Sequence, residues 1–274
     1  MKVVRIHEHG SSAVLKYEDA LEPKIRPDEV LVKVKACALN HLDLFVRAGL
    51  PGLKLEMPHI LGSDASGEVV EIGAVAGPLK TGDRVLLAPG LSCRHCAECV
   101  SGNDNACRRY GLLGYLYPGV NAEYVAVPGV NAIGIPRGLT FEEAAAVPLV
   151  FLTAWHMLVS VAKIKVGEDV LVVGASSGVG TAAIQIAKLH HCRVIATAGG
   201  EAKMAKAKML GADEVIDHYE EDLKSKVRQL TEKRGVDIVF EHVGAATWSH
   251  SMASLANRGR LVTCGATTGG EVDL

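Results

Sequence analysis

The sequence has few aromatic residues and no extended run of like charges. Aromatic residues occupy 4% of its 274 positions, although hydrophobic residues occupy 49%. Basic and acidic residues number 29 and 31, which gives a formal net charge of −2. The missing charge runs exclude a nucleic-acid-binding arm, and the near balance of charge favours chemistry on a small-molecule substrate.

Signals for export or membrane insertion are also missing. The N-terminal residues lack the apolar core of a signal peptide. The apolar stretch 144–162 is interrupted by Pro148, Thr153, His156 and Ser160, which favours a buried helix over a membrane span. Seven cysteines in this context indicate metal ligands or reduced thiols, because disulfides rarely persist in the cytosol. We therefore predict a cytoplasmic protein with no membrane partner.

The hydrophobic pattern changes near the middle of the chain. Short β-like runs separated by turns fill the first half, whereas strands and helices alternate after about residue 141. This pattern and the chain length predict an α/β protein with two domains, at 1–150 and 151–274. The predicted strands are 30–34, 67–72, 84–87, 123–127, 170–173, 193–196, 214–216, 238–241 and 260–263, and the clearest helices of the second half are 202–210 and 223–233.

A glycine-rich turn follows the all-apolar strand 170–173 and leads into a helix. Small residues there allow close approach to a pyrophosphate, and the N–H groups that open the helix favour its negative charge. The turn departs from the G-x-G-x-x-G pattern, since Ala175 and Ser177 replace two of its glycines. An ordinary glycine turn is the alternative. The context favours dinucleotide binding by Ala175, Ser176, Ser177, Gly178, Val179 and Gly180.

The end of the second strand in this half bears on the choice of cofactor. An acidic residue there would bind the 2′-hydroxyl of NAD and repel the 2′-phosphate of NADP. The chain has Ala198 and two glycines instead, with Glu201 arriving late and Lys203 following as a cation. Lys203 is alternatively a solvated helix lysine. The pattern favours NADP over NAD, with Ala198 and Lys203 as binding residues.

Four cysteines, Cys93, Cys96, Cys99 and Cys107, have the spacing C-x2-C-x2-C-x7-C within a polar loop. Four thiolates are the usual ligands of a closed structural zinc site, and nearby Arg94, Arg108 and Arg109 would offset its charge. Free thiols, or His95 in place of one thiolate, remain alternatives. The x3-C-P continuation typical of iron–sulfur clusters is missing. Cys37, Cys192 and Cys264 have apolar neighbours and are predicted to be core residues.

These signatures occur together in the order found in one superfamily. The β-rich half with Gly82-Asp83-Arg84-Val85, the four-cysteine lobe and the dinucleotide fold resemble the medium-chain dehydrogenase/reductase superfamily over the whole chain. The resemblance implies a GroES-like substrate domain, a Rossmann doubly wound parallel sheet and a catalytic cleft between them. It further implies that Thr153, Val243, Gly244 and the Cys264-Gly265-Ala266 turn, Gly265 included, line the cofactor. His242 beside this site is unusual, although a core histidine needs no chemical role.

The chain departs from the zinc-dependent alcohol dehydrogenases of that superfamily. Their catalytic zinc is held by cysteine, histidine and cysteine, at positions that correspond here to Asn40, Ser63 and Leu149. Asn40 and Asp43 instead resemble the zinc-independent quinone and enone reductases. Without a Lewis acid to activate an alcohol, reduction of an activated C=C bond or a quinone is favoured.

Asn40 or His41 is the candidate hydrogen-bond donor to the oxygen on which charge develops. Each also has a structural alternative: Asn40 as a helix cap and His41 as an exposed histidine. Asp43 and Arg47 are spaced for a helix ion pair. The alternative functions are a zinc-type alcohol or aldehyde dehydrogenase and a noncatalytic nucleotide-binding protein.

The family normally continues beyond the length of this chain with a sixth Rossmann strand. The resemblance implies a homodimer or homotetramer, and we expect this assembly to be weakened, with an exposed sheet edge.

Overall fold

A computed structural model describes residues 1–272 of the chain. The chain forms two compact units, of which the first is Met1–Leu149 and the second begins at Val150. Within the described residues, none of the helices combines the length and the apolar character needed to cross a bilayer.

The first unit is built on antiparallel strands. Within residues 1–149, three sheets have the strand orders β2-β1-β4, β10-β6-β5-β3-β9 and β7-β8. Val30, Val32 and Val69 are fully buried in the core of the larger sheet. The strands are β1 Lys2–Ile6, β2 Lys16–Asp19, β3 Glu29–Ala38, β4 His59–Ile60, β5 Asp64–Ile72, β6 Arg84–Leu87, β7 Gly90–Leu91, β8 Gly111–Leu112, β9 Tyr124–Pro128 and β10 Ala132–Gly134.

Helices in the first unit are short, and two of them are important for the site. Helix α1 begins directly after β3, with Asn40 as its N-cap residue, and it ends before Gly49, whose φ of 94° suits glycine. Helix α3 begins after Thr140, whose hydroxyl accepts the Glu143 N–H. The helices are α1 His41–Ala48, α2 Ala97–Val100, α3 Phe141–Ala145 and α4 Pro148–Trp155, the last of which continues into the second unit.

The second unit contains a five-stranded parallel sheet within its described residues. Its strand order is β13-β12-β11-β14-β15, and β11 pairs in parallel with both β12 and β14. Strands that follow β11 are therefore added first on one side of it, and from β14 onward on the other side. Ligands of such sheets bind at the carboxyl ends of the strands beside this switch point. The strands are β11 Asp169–Val172, β12 Arg193–Ala198, β13 Glu214–Asp217, β14 Val236–Glu241 and β15 Leu255–Thr263.

Helices connect these strands and bury their apolar residues against the sheet. Val170, Ile184 and Phe240 are fully buried in one core layer, and Leu171, Ile195 and Val239 in another. The helices are α5 Gly178–Leu189, α6 Glu201–Met209, α7 Leu223–Leu230 and α8 Trp248–Ala253. The predicted α/β architecture is therefore confirmed.

Two local predictions were wrong. The stretch 144–162 is not one buried helix: α3 ends at Ala145, α4 begins at Pro148, and a π-helix follows at His156–Val161. Pro148 cannot donate the backbone hydrogen bond that would continue α3. Trp155 is also 45% exposed. Helix α7 ends at Leu230 rather than 233, because Glu232 and Lys233 have positive φ angles of 52° and 67°.

Cysteine burial follows strand position rather than the apolar character of neighbouring residues. Cys192 is buried as predicted, but Cys37 and Cys264 are exposed. Cys37 lies in the outer half of β3, where exposed and half-buried residues alternate, and Cys264 follows the last residue of β15. Side chains alternate between the faces of a strand, so an apolar neighbour does not place a cysteine in the core.

Candidate functional site

The glycine-rich turn lies at the carboxyl end of β11 and leads into α5. Ser177 is the N-cap residue of that helix, and its hydroxyl accepts the Gly180 N–H at 2.9 Å. A Cβ atom at position 180 would lie 2.4 Å from the Gly174 carbonyl oxygen, so this position requires glycine. The turn combines a helix N-terminus with small residues, which is the arrangement that binds a pyrophosphate.

A cavity of about 630 Å³ lies in the first unit, and a second of about 540 Å³ lies at the carboxyl ends of the parallel strands. Gly174, Thr197 and Val243 line the second cavity, after β11, near the end of β12 and after β14. Its volume falls in the usual range for small-molecule and cofactor sites. Its other lining residues include His218, Tyr219, Asp222 and Thr247, which sequence analysis missed because they follow strands without any recognisable motif.

The expected cofactor-selecting segment carries charges of both signs. Ala198 is the last residue of β12 and is buried, whereas Lys203 lies exposed in the first turn of α6. Asp217, at the end of β13, accepts the Gly200 N–H at 3.2 Å. This carboxylate was missed because it comes from the neighbouring strand rather than from β12 itself.

The other expected cofactor residues lie on three elements. Val243 and Gly244 follow β14, and both of their N–H groups donate to the buried Glu241 carboxylate, at 2.6 and 3.1 Å. Gly265 is exposed just after β15. Thr153 lies on α4, the helix whose Val150 side chain would lie 2.8 Å from a Cβ atom at Gly178 in the glycine-rich turn. The sheet therefore brings the turns after β11, β12, β14 and β15 to one edge.

Asp64 joins Asn40 and Leu149, two of the three positions at which the resemblance would place catalytic-zinc ligands, and the third, Ser63, precedes Asp64 in the chain. Asn40 Nδ2 donates to Asp64 Oδ2 at 2.9 Å, and the Leu149 N–H donates to Asp64 Oδ1 at 2.9 Å. The Ser63 hydroxyl is fully buried and donates to the Leu113 carbonyl at 2.7 Å. An asparagine amide, a serine hydroxyl and a leucine do not fit the thiolate and imidazole set of a catalytic zinc.

Asp64 joins this cluster as a buried carboxylate. It is 1% exposed, and burial raises its pKa to about 6 despite hydrogen bonds from Asn40 and Leu149 that lower it. The nearby Asp43 carboxylate adds to the rise. The sequence contains Asp64 within the Gly62-Ser63-Asp64 segment, but nothing in the spacing shows that it bonds to both Asn40 and Leu149.

Helix α1 exposes His41, which is the structural alternative given above, but it does not pair Asp43 with Arg47. His41 is exposed, with its ring centroid 6.0 Å from that of Phe45. The predicted Asp43–Arg47 ion pair does not form: Asp43 accepts the backbone N–H groups of Asn40 and Gly62, at 2.7 and 3.1 Å. Burial raises the pKa of Asp43.

The four lobe cysteines converge as a possible metal site. Their sulfur atoms all lie within 4.8 Å of one another, with Cys93–Cys99 at 3.8 Å and Cys96–Cys99 at 3.5 Å. A tetrahedral zinc with Zn–S bonds of about 2.3 Å requires sulfur separations of about 3.8 Å, so the cluster fits zinc. Hydrogen bonds from the His95 and Cys96 N–H groups lower the pKa of Cys93 to about 5.

His95 does not replace a thiolate in this arrangement. Its Nδ1 lies 2.6 Å from the Cys93 carbonyl oxygen and its Nε2 lies 2.8 Å from an Arg109 guanidinium nitrogen. A guanidinium only donates, so Nε2 accepts and Nδ1 donates. Arg94 forms an ion pair with Asp28. Arg109 supports the lobe through its backbone N–H, which donates to Cys107 Sγ at 3.3 Å.

Comparisons with known proteins give concordant results for both halves of the chain. A family model described as an alcohol dehydrogenase GroES-like domain matches residues 26–137, and one described as a zinc-binding dehydrogenase matches residues 178–274. Quinone oxidoreductase from Homo sapiens is 31% identical over 97% of this chain and 73% of its own length.

Alcohol dehydrogenases are similar to the chain as well. An NAD-dependent alcohol dehydrogenase from Sulfolobus acidocaldarius is 34% identical over 98% of this chain and 79% of its own length. A solved structure of an NAD-dependent alcohol dehydrogenase superposes with a TM-score of 0.95 at 47% identity, covering 98% of this chain and 79% of that chain.

Proposed function

The chain belongs to the medium-chain dehydrogenase/reductase superfamily, and on that premise we propose that it is an NADPH-dependent reductase of quinones, enones or similar activated alkenes. It is an oxidoreductase with a GroES-like domain and a Rossmann-type domain.

The observation that carries the proposal is the hydrogen-bonded cluster around Asp64. Asn40 and Leu149 occupy two positions where a catalytic zinc would need soft or imidazole ligands, and both donate to the Asp64 carboxylate. An alcohol without such a Lewis acid keeps a high hydroxyl pKa, which disfavours its oxidation. Reduction of an alkene conjugated to a carbonyl group has no such requirement.

Asn40 is the proposed donor to the substrate oxygen. One of its two amide N–H groups is used by Asp64, which leaves the other to donate. NADPH held at the glycine-rich turn would supply the hydride for the β-carbon, and the Asn40 N–H would stabilise the negative charge that develops on the carbonyl oxygen. A proton from water then completes the reduction. His41 is the second candidate donor, because it lies next to Asn40 at the start of α1.

We assign the lobe zinc a structural role. Four thiolates complete a tetrahedron and leave no position for a substrate oxygen or a water molecule. The zinc would therefore stabilise the loop between Cys93 and Cys107, and the chemical step would not involve it.

NADPH is the proposed cofactor because Lys203 supplies a cation close to Gly200, after a strand end without an acid. Asp217 favours NADH, since a carboxylate near Gly200 would repel the 2′-phosphate of NADPH. We propose that Lys203 dominates, because it projects from an exposed helix turn while Asp217 is bonded to the Gly200 and Tyr219 N–H groups.

A substrate panel tests the proposed reaction. Purified protein should oxidise NADPH when a quinone or an enone is added, and it should not reduce NAD⁺ or NADP⁺ when primary and secondary alcohols are added. Asn40→Ala should lower the first activity while leaving NADPH affinity unchanged, which separates loss of catalysis from loss of cofactor. Cofactor binding without any turnover would instead support a noncatalytic nucleotide-binding protein.

An alcohol dehydrogenase is the second candidate function. The 47% identity to a solved NAD-dependent alcohol dehydrogenase favours it. Alcohol-dependent reduction of NAD⁺ in the same panel would establish this function and reject the reductase.

A further inference from the structure

His242 contacts the glycine-rich turn from a distant strand. It directly follows β14, is 9% exposed and has its ring 6.2 Å from that of Phe240 at a steep interplanar angle of 68°. Its Nε2 lies 3.0 Å from the Ser177 hydroxyl oxygen. A buried histidine therefore contacts the residue that caps α5.

The hydrogen bonds of Ser177 define the role of His242. The hydroxyl donates to the Gly174 carbonyl at 2.9 Å and accepts the Gly180 N–H at 2.9 Å. A hydroxyl has one proton and two lone pairs, so the remaining lone pair can only accept. His242 must then be the donor, in the tautomer that carries its proton on Nε2. Burial lowers the pKa of His242, which favours this neutral form.

The glycine at position 174 leaves room for the His242 imidazole ring beside the turn. Gly174 has a φ of 73°, and a Cβ atom there would lie 3.0 Å from His242 Nε2. On the other side, the Thr197 hydroxyl accepts the Gly174 N–H at 2.9 Å, which ties the turn to β12. The turn is thus held from both neighbouring strands, by Thr197 from β12 and by His242 from β14.

We propose that His242 is a positioning residue of the dinucleotide site, which fixes the Ser177 hydroxyl and thereby the N–H groups that bind the pyrophosphate. His242 need not touch the cofactor, because it acts through Ser177. Its effect concerns the affinity for the diphosphate and does not depend on which substrate is reduced. The proposal can therefore fail while the proposed reductase activity stands, and the reverse also holds.

The test measures cofactor affinity without turnover, by fluorescence titration of NADPH and by competition with ADP-ribose and adenosine. Loss of one neutral hydrogen bond should weaken NADPH and ADP-ribose binding about five- to tenfold in His242→Ala. Adenosine, which has no pyrophosphate, should bind as before. His242→Gln places an amide donor near the former Nε2 and should recover most of the affinity. His191→Ala, two residues beyond the C-terminal end of α5, is the matched control and should leave affinity unchanged.

A double-mutant cycle separates action through Ser177 from a general loss of structure. In a Ser177→Ala background, adding His242→Ala should cost less than twofold, because the bond it removes no longer exists. Three results would each overturn the proposal. They are an unchanged NADPH affinity in His242→Ala, a loss of NADPH affinity that is equal with and without Ser177, and adenosine binding that is weakened as much as NADPH binding. If His242→Ala does not fold, the folded His242→Gln variant is compared with Ser177→Ala instead. An NADPH affinity of His242→Gln no higher than that of Ser177→Ala would also overturn the proposal.

Discussion

Asn40 donates a side-chain hydrogen bond to Asp64 at 2.9 Å, at a position where the resemblance to zinc-dependent alcohol dehydrogenases would imply a metal ligand. The same carboxylate accepts the Leu149 N–H, so one buried acid connects the start of α1 with the start of α4. The cluster keeps Asn40 oriented without a metal ion.

Asn40→Ala should lower kcat/KM for a quinone or enone by roughly 100-fold, the usual cost of removing one donor to a developing oxyanion. His41→Ala should change it less than threefold if Asn40 is the donor. Steady-state kinetics with both variants assigns the role. A larger loss in His41→Ala than in Asn40→Ala would transfer it to the histidine.

The reciprocal double variant Asn40→Asp/Asp64→Asn separates support from catalysis. Asn at 64 can still accept the Leu149 N–H and can donate to Asp at 40, so the melting temperature should recover relative to Asp64→Ala. Activity should stay low, because position 40 no longer has an amide donor. Full recovery of kcat would mean that Asn40 serves only to hold the fold.

Asp64 should make the stability depend on pH. Its folded pKa of about 6 lies above its ordinary value of 3.8, so the native state binds more protons in that interval. The stability it contributes is full below about pH 4 and is lost as the pH rises through 6, a change of roughly 3 kcal/mol. His242, whose pKa is lowered, has the opposite slope near its usual value. Urea unfolding of the protein and of Asp64→Asn at several pH values isolates the Asp64 contribution; identical pH profiles would contradict it.

Lys203→Ala should weaken NADPH binding about tenfold and leave NADH binding within twofold, because only NADPH carries the 2′-phosphate that the ammonium group would contact. Asp217→Asn should change the preference in the opposite direction, since it removes a negative charge beside Gly200. Isothermal titration with both cofactors measures the two ratios. Tighter binding of NADH than NADPH by the unaltered protein would reject the cofactor assignment.

Cys96→Ser should lower zinc content and melting temperature together, because a structural zinc contributes folding free energy through its thiolates. Cys37→Ser is the matched control and should change neither, since Cys37 is exposed on the first unit outside the four-cysteine cluster. Metal analysis and calorimetry of the two variants provide the comparison.

Features carried by neighbouring residues could be predicted from the sequence. Residues close together in the sequence determine the glycine-rich turn, the cysteine spacing and each strand or helix. Their geometry follows from the local order of residues. The site contacts join residues far apart: Asp64 bonds to Leu149 85 positions away, and Ser177 to His242 65 positions away. Such pairings depend on how strands are ordered in the sheets, which hydrophobic periodicity alone does not specify.

Cys37 and Cys264 illustrate the same limit at a smaller scale. Both have apolar neighbours, but their side chains are exposed because of their positions in or after a strand. The face toward which a strand residue points follows from register, and a shift of one residue reverses it.

The most direct test of a reductase without catalytic zinc combines metal analysis with an activity assay on the same sample. We predict one zinc per chain, held by the four cysteines, and NADPH-dependent reduction of a quinone or enone that persists after treatment with a mild chelator that leaves this zinc in place. The opposite result would be a sample that holds two zinc ions per chain and reduces NAD⁺ when an alcohol is added. If removal of the more labile zinc abolished that activity, the result would contradict a reductase without catalytic zinc.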